Sequence, residues 1–309
     1  MIPQKTNTFG HVIYPIGETV RDEEARNLIR DVINFQTFSV TGQDSSNKVN
    51  EFLDLILSIP IEIDPAKQVR EKALEMMGGE EGMKKVREIR INDIITSFKE
   101  YVEKSQYPIQ GSVLDLGCGN GLVAKGLYNS RMESVELADV MDYTDPSVKN
   151  WKFVEIPKSG RLPYEDNSFD SILVITVFHH ASNSKELLQE VARICKGRIY
   201  VMESLVGINP NMRTVEPALG ADREKLFELE KRFANLTEEK QMMYASFCDW
   251  FYNDVVQGDV DVPLNFGTDK QWLDLFTENG LKVVARHMIG LDQRTSGEYH
   301  AIYVCEKIR

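Results

Sequence analysis

Apolar positions along the chain follow two different patterns, and the change between them comes near residue 111. Before that point apolar residues recur three and four positions apart, which is the spacing of amphipathic helices. Polar residues, a proline at position 60 and a glycine pair at 78–79 interrupt this spacing. The predicted helices cover about 21–38, 49–59, 65–77 and 86–101.

From residue 111 onward, short and almost continuous apolar runs alternate with helical patterns. Runs of this kind are typical of parallel strands that are covered on both faces. Strands that alternate with helices predict an α/β fold with a doubly wound, Rossmann-like sheet. The predicted strands are 112–116, 134–140, 152–156, 171–177, 198–203, 281–288 and 300–306.

One interval, 207–267, is not needed for such a sheet and carries helical patterns at 225–235 and 240–256. The second of these patterns is rich in aromatic residues. We therefore expect two parts: a helical N-terminal extension (1–110) and a Rossmann-like domain (111–309) with a helical insertion.

The stretch 113–121 combines a strand end with a turn that contains Gly117, Gly119 and Gly121. A strand that passes through glycines into a helix directs backbone N–H groups at an anion. Asp115, two residues before the first glycine, would repel a pyrophosphate. It suits a ligand with both a carboxylate and an ammonium group, as in an amino acid.

Two stretches together resemble class I S-adenosylmethionine-dependent methyltransferases of the type 11 branch. One is the glycine stretch 113–121; the other is Leu162-Pro163-Tyr164 followed by Phe169-Asp170 and the apolar run 171–177. The resemblance implies a seven-stranded sheet closed by an antiparallel hairpin. It implies S-adenosylmethionine as cofactor and S-adenosylhomocysteine as product. Two roles are possible for the N-terminal helices: they form a lid over the site, or they are scaffold packed on the sheet edge.

The resemblance also assigns roles to residues of the cofactor site. Asp115 would face the methionine end, and an acid about 20 residues beyond the glycine loop would bind the ribose hydroxyls. Asp139 has that position, with Asp142 as the alternative. No acid lies within 156–160 to hold the adenine, so backbone groups, Ser159 or Asp142 would do so. The predicted cofactor residues are Asp115, Gly117, Cys118, Gly119, Asn120, Gly121, Asp139, Val140 and Thr176.

Candidate catalytic residues follow the fourth strand of the sheet, at the edge where such folds bind ligands. His179 and His180 lie there, and a histidine near neutral pKa can take a proton from an acceptor. The favoured alternative for each is a histidine that only shapes its loop.

Four residues are predicted to contact the acceptor: Glu203, Tyr244, Asp249 and Trp250. Each also has a simpler explanation. Glu203 would then cap backbone groups, and the aromatic residues would be ordinary core. Asn253 lies four residues after Asp249, so the two would share a helix face.

Composition and charge limit the classes of binding partner that we expect. The net charge of −12 argues against a general nucleic-acid binder. The basic residues between Lys84 and Arg90 are interleaved with acids and indicate a solvated helix face. No apolar run is long enough for a bilayer, and the four scattered cysteines favour reduced thiols in the cytoplasm. The five histidines show no metal-ligand spacing, so no metal is expected.

The sequence thus predicts methyl transfer to an oxygen or nitrogen nucleophile, with a small molecule as the favoured acceptor. Three alternatives remain open at this point. They are a methyltransferase that acts on protein or RNA, a catalytically silent cofactor-binding partner subunit, and a nicotinamide-dependent oxidoreductase. The oxidoreductase fits the glycine spacing less well. The dinucleotide-binding pattern is Gly-x-Gly-x-x-Gly, and its third glycine would fall at Leu122.

Overall fold

The computed structural model describes residues 5–157, 160–216, 222–258 and 263–308. Its strands are β1 (Lys5–Thr6), β2 (Val12–Ile13), β3 (Gly111–Leu116), β4 (Met132–Asp139), β5 (Lys152–Glu155), β6 (Phe169–Ile175), β7 (Cys195–Val206), β8 (Gly267–Thr268), β9 (Leu281–Leu291) and β10 (Tyr299–Lys307). Its helices are α1 (Ile16–Arg21), α2 (Glu23–Thr41), α3 (Ser46–Ser58), α4 (Ala66–Met76), α5 (Gly79–Phe98), α6 (Leu122–Leu127), α7 (Ser184–Ile194), α8 (Arg223–Ala234), α9 (Glu238–Trp250) and α10 (Asp269–Glu278).

The central sheet has the order β5-β4-β3-β6-β7-β10-β9. Strands β3 to β7 pair in parallel, and β10 runs antiparallel to both of its neighbours. The predicted seven-stranded, doubly wound sheet with a terminal hairpin is therefore confirmed. Strand β8 and the β1–β2 hairpin were not predicted, because a two-residue strand is too short to show an alternation pattern.

Side chains of the central strands alternate between two hydrophobic clusters, one on each face of the sheet. In β6, Ile172 and Val174 join one cluster, whereas Leu173 and Ile175 join the other. This period of two is the geometry of a strand, and burial on both faces explains the continuous apolar run in the sequence. Helices accordingly cover both faces.

The N-terminal helices and the insertion pack against each other and form one helical layer. Helix α2 lies against α8 and α9, and α4 lies against a π-helical turn, Phe251–Gln257, that continues α9. Charged pairs join the two segments, including Arg232 with Asp31 at 2.5 Å and Lys240 with Glu24 at 2.7 Å. The layer reaches the carboxyl ends of β6 and β7 through α5 and α9.

Helix α5 corrects one prediction about the surface. Lys84 and Lys85 are exposed, as expected of a solvated helix face. Arg90 on the same helix instead turns inward, and its guanidinium lies 4.1 Å above the centre of the Tyr252 ring. Apolar spacing does not report such a residue, because a long charged side chain can cross a helix face.

Two predictions from composition can be compared with the structure. Within the described ranges, none of the helices combines the length and the apolar character needed to cross a bilayer. All four cysteines are buried and carry free thiols, as expected.

Candidate active site

The glycine turn after β3 has three left-handed backbone positions, with φ of 69°, 53° and 74° at Gly117, Gly119 and Gly121. A Cβ on Gly117 would come within 2.4 Å of a Val177 methyl group, so this glycine is needed for close packing on the loop after β6. A Cβ on Gly119 would meet no atom within 4 Å, so this position faces open space. Gly119 therefore lines an opening in which a ligand can lie against the backbone.

Asp139, the last residue of β4, holds the glycine turn with its carboxylate. The backbone N–H of Gly119 donates to Oδ2 at 2.7 Å, and that of Val140 donates to Oδ1 at 2.7 Å. Burial raises the pKa of Asp139 above its ordinary value, and the two hydrogen bonds oppose that effect. The structure thus brings this predicted ribose ligand directly to the loop.

The alternative ribose ligand, Asp142, is engaged elsewhere. It is exposed and accepts hydrogen bonds from the hydroxyl and N–H of Thr144 and from the ammonium group of Lys149. These contacts, the Thr144 hydroxyl foremost, lower the pKa of Asp142 to about 2. Its carboxylate therefore stabilises its own turn, and Asp139 has the better position for a ligand.

Asp115 is an almost fully buried carboxylic acid at the strand end before the glycine turn. Its Oδ2 has no hydrogen-bond partner among the described residues. Burial, with the nearby charge of Asp139, raises the pKa of Asp115 to about 7. An unsatisfied buried carboxylate is costly, so a ligand that carries an ammonium group would relieve it. This observation fits the methionine end of S-adenosylmethionine.

A cavity of about 480 Å³ opens at the carboxyl ends of β4 and β5. Val140, Glu155, Ile156, Pro157 and Gly160 line it. Its size lies within the usual range of small-ligand pockets, about 300–1,000 Å³. The cavity is therefore large enough for the adenine end of a nucleoside.

Glu155 is a candidate that the sequence analysis missed. Strand β5 ends at Glu155, directly before the segment 156–160 that contains no acid, so Glu155 lies at the ligand edge of the sheet. Of the alternatives offered for adenine, Asp142 is engaged with Lys149, and Ser159 lies outside the described residues.

The loop after β6 begins with backbone strain. Thr176 has φ of 55°, which is uncommon for a residue with a branched Cβ, and its N–H donates to the Met202 carbonyl at 2.7 Å. Strain of this kind often marks functional loops. The Thr176 hydroxyl lies 3.4 Å from the guanidinium of Arg90, so the loop touches the helical layer.

His179 and Glu203 form a buried pair behind this loop. Nδ1 of His179 lies 2.6 Å from Glu203 Oε2, and the backbone N–H groups of Val177 and Phe178 donate to Oε1. Glu203 thus caps backbone groups and also orients the imidazole. Burial alone would lower the pKa of His179, but the carboxylates of Glu203 and Asp249 outweigh it and raise the pKa to about 10.

Asp249 of α9 meets both histidines, which are about 70 positions away in the chain. Its Oδ1 lies 3.7 Å from His179 Nε2 and 3.6 Å from His180 Nε2, and it accepts a 2.6 Å hydrogen bond from Asn253. Burial would raise the pKa of Asp249, but the nearby histidines and Arg90 lower it. The predicted shared face of Asp249 and Asn253 is confirmed by this hydrogen bond.

Tyr244 and Trp250 are fully buried and each has a hydrogen-bond partner. The hydroxyl of Tyr244 donates to the Gly297 carbonyl at 2.6 Å, and the indole N–H of Trp250 donates to Asp64 at 3.0 Å. These contacts join α9 to the loop before β10 and to the N-terminal helices. A role for either residue in acceptor binding stays a prediction.

A second polar set lies under α5 and was largely unexpected. The carboxylate of Asp93 accepts four hydrogen bonds from the backbone N–H and the guanidinium of Arg294, and Ser97 donates to Asp292 at 2.7 Å. Asp292 in turn lies 2.8 Å from Nδ1 of the buried His300. Asp292 and His300 are buried, and these contacts attach α5 to the segment around the start of β10.

Three features indicate the class of protein. They are the sheet order with one reversed strand, the glycine turn between β3 and α6, and the acid at the end of β4. They are the fold and cofactor edge of class I S-adenosylmethionine-dependent methyltransferases. The site lies where the strand order reverses between β3 and β6, the position at which such sheets bind ligands.

Comparison with known proteins agrees with this class. Residues 114–201 match the model of the type 11 family described as "Methyltransferase domain". A demethylmenaquinone methyltransferase of Thermotoga maritima is 30% identical over 101 residues, which are 30% of this chain and 43% of that protein. An uncharacterized protein of Methanocaldococcus jannaschii is 31% identical over 115 residues, 36% of this chain and 52% of that protein.

Among solved structures, a SAM-dependent methyltransferase from Aquifex aeolicus is 14% identical with a TM-score of 0.40, covering 72% of this chain and 97% of that one. The matched part of the chain spans about half the length of the curated relatives. The family implies S-adenosylmethionine as the cofactor.

Proposed function

We propose that the protein transfers a methyl group from S-adenosylmethionine to an oxygen or nitrogen atom of a small molecule. One observation carries this proposal above the others. The carboxylate of Asp139 holds the glycine turn next to the buried carboxyl of Asp115, whose Oδ2 has no hydrogen-bond partner among the described residues. A nucleoside joined to an amino acid offers hydroxyl groups to the first and an ammonium group to the second.

Three acids would hold the cofactor. Asp115 faces the ammonium group, and Asp139 keeps lone pairs for the ribose hydroxyls, since each carboxylate oxygen accepts about two hydrogen bonds. Glu155, at the cavity next to Val140, accepts from the adenine amino group. When bound, the cofactor supplies a methyl group made electrophilic by its sulfonium sulfur.

The helical layer would cover the reacting atoms and exclude water. Arg90 of α5 contacts Thr176, and Asp249 of α9 faces the histidines, so both elements close over the loop after β6. A polar site beneath two helices suits a small acceptor with polar groups rather than a long polymer. Water exclusion strengthens the electrostatic contacts that align the acceptor with the methyl group.

His180 is the better candidate for a base that takes a proton from the acceptor. A histidine whose pKa is about 10 keeps its proton at neutral pH, which makes His179 a poor base. The side chain of His180 is 21% exposed and therefore more accessible than that of His179. Its ring centre lies 4.2 Å from that of His179, which positions it.

A calorimetric titration of S-adenosylhomocysteine into the full chain tests the proposal, with NAD as the control ligand. We expect micromolar binding of the first and none of the second. Incubation with labelled S-adenosylmethionine and a panel of small phenols, amines and carboxylates then tests transfer. Binding of NAD alone would overturn the cofactor assignment, and binding without turnover on any acceptor would favour a silent partner subunit.

A further inference from the structure

Three side chains from two distant segments converge at the carboxyl end of β6. The ligand atoms of His179, His180 and Asp249 all lie within 4.8 Å of one another. We propose that these three residues bind a divalent transition-metal cation. The site goes beyond the methyl transfer proposed above and would exist whether or not that proposal holds.

Two of the three separations are close to those of a metal centre, and the third needs a larger contraction. Imidazole nitrogens and carboxylate oxygens bind zinc at about 2.0–2.2 Å, which places tetrahedral ligands about 3.4 Å apart. Oδ1 of Asp249 already lies 3.7 Å from His179 Nε2 and 3.6 Å from His180 Nε2. The ligand nitrogens of His179 and His180 lie within 4.8 Å of each other, so side-chain rotation must bring them closer by up to about 1.4 Å.

Glu203 supplies the support that metal-binding histidines usually have. A metal-bound imidazole commonly donates its other N–H to a carboxylate, which fixes the tautomer and the ring orientation. His179 makes this contact with Nδ1, at 2.6 Å from Glu203. Its Nε2 is thereby directed toward Asp249.

Two buried polar atoms in the cluster are unsatisfied. Neither His179 Nε2 nor Asp249 Oδ2 has a hydrogen-bond partner among the described residues. At 3.7 Å, His179 Nε2 and Asp249 Oδ1 are too far apart for a hydrogen bond. Buried polar atoms are seldom left unpaired, so these two point to a missing partner between them.

The ligand types select the class of cation. Two imidazoles and one carboxylate suit zinc, iron, cobalt or nickel, whereas magnesium and calcium prefer oxygen ligands. Two buried carboxylates, Glu203 and Asp249, face this cluster, and a bound cation would replace the proton that His179 otherwise holds between them. Three protein ligands leave a coordination position open, as in catalytic sites. An acceptor oxygen could occupy it, a detail that rests on the proposed methyl transfer. With the cation bound, Nε2 of His180 would be a ligand and would no longer act as a base.

The test is a zinc titration of the full chain after treatment with a chelator. We expect one equivalent to bind, with Co²⁺ giving the visible absorption of a low-symmetry site. His180→Gln and Asp249→Asn should each weaken binding at least about 100-fold, because loss of a ligand exceeds the loss of a supporting contact. Glu203→Gln should weaken it about 10- to 100-fold.

His287→Gln is the matched control, because His287 lies on β9 and is not one of the three converging residues. This variant should bind zinc as the wild type does, and circular dichroism verifies that every variant is folded. Equal zinc binding by wild type, His180→Gln and Asp249→Asn would overturn the proposal. S-adenosylhomocysteine affinity is measured on the same wild-type sample. If the protein binds S-adenosylhomocysteine but not zinc, only the metal-site proposal is wrong. If it binds zinc but not S-adenosylhomocysteine, only the methyl-transfer proposal is wrong.

Discussion

Asp139 and Glu155 are directly paired residues at the carboxyl ends of the neighbouring parallel strands β4 and β5. The N–H of Ile156 donates to the Asp139 carbonyl at 2.8 Å and keeps the two strand ends together. Two acids thus stand side by side at one edge of the sheet. A ribose and an adenine are likewise adjacent in a nucleoside, so two neighbouring acids suit one nucleoside.

Replacement of Asp139 should weaken cofactor binding. In Asp139→Ala the glycine turn loses its carboxylate acceptor and the ribose loses its partner. We expect the affinity for S-adenosylhomocysteine to fall by about 1–3 kcal/mol, or roughly 5- to 150-fold. Asp142→Ala is the control and should bind normally in calorimetry. The opposite result, with only Asp142→Ala weakened, would move the ribose contact to Asp142.

Glu155 should discriminate between adenine and hypoxanthine. A carboxylate accepts a hydrogen bond from the adenine amino group, but it repels the oxygen that replaces this group in S-inosylhomocysteine. Glu155→Gln offers an amide donor to that oxygen. The preference for the adenine ligand should therefore shrink by about tenfold or more, as expected for a lost charged hydrogen bond.

Calorimetry with both ligands on wild type and Glu155→Gln measures this change. Glu165→Gln replaces another exposed acid, in the turn before β6, and should leave the preference unchanged. An equal preference in wild type and Glu155→Gln would show that adenine is held by other groups.

Asp115 should make the ligand-free protein less stable as the pH rises. With a pKa of about 7, its carboxyl keeps a proton in the folded state between pH 4 and 7, while the unfolded chain releases it. The free energy of unfolding therefore falls across that interval and stays lower above it. Asp115→Asn should be more stable than the wild type at pH 8 by roughly 1–4 kcal/mol.

Urea unfolding at pH 4 and pH 8 measures this difference, and at pH 4 the two proteins should be similar. The same variant should bind S-adenosylhomocysteine more weakly, because the ammonium group loses its charged partner. If Asp115→Asn gains no stability at pH 8, the carboxyl is not an unrelieved buried charge.

Arg90 should hold α5 over the site. Arg90→Ala removes the contact with the Tyr252 ring, which is worth about 0.5–2 kcal/mol for a cation above an aromatic face. Amide hydrogen exchange within α5 should then be roughly 2- to 30-fold faster. Lys84→Ala changes an exposed residue of the same helix and should leave exchange unaltered. Identical exchange in both variants would mean that apolar packing alone secures the helix.

The sequence by itself determined the secondary structure and the cofactor edge. Periods of two and of 3.6 residues are local properties, so β3 to β7, β9, β10 and most helices could be predicted within a few residues. The glycine turn and Asp139 follow directly from strand ends, and parallel strands bring their ends to one edge.

Only the tertiary structure decided which side chains of distant segments meet at that edge of the sheet. Asp249 meets His179 and His180 because α9 packs over β7, and no spacing along the chain encodes that meeting. Arg90 was expected at the surface, but it contacts the Tyr252 ring for the same reason. The direction of a helical side chain depends on which face the whole helix buries, and that face is set by packing between segments that are far apart in sequence.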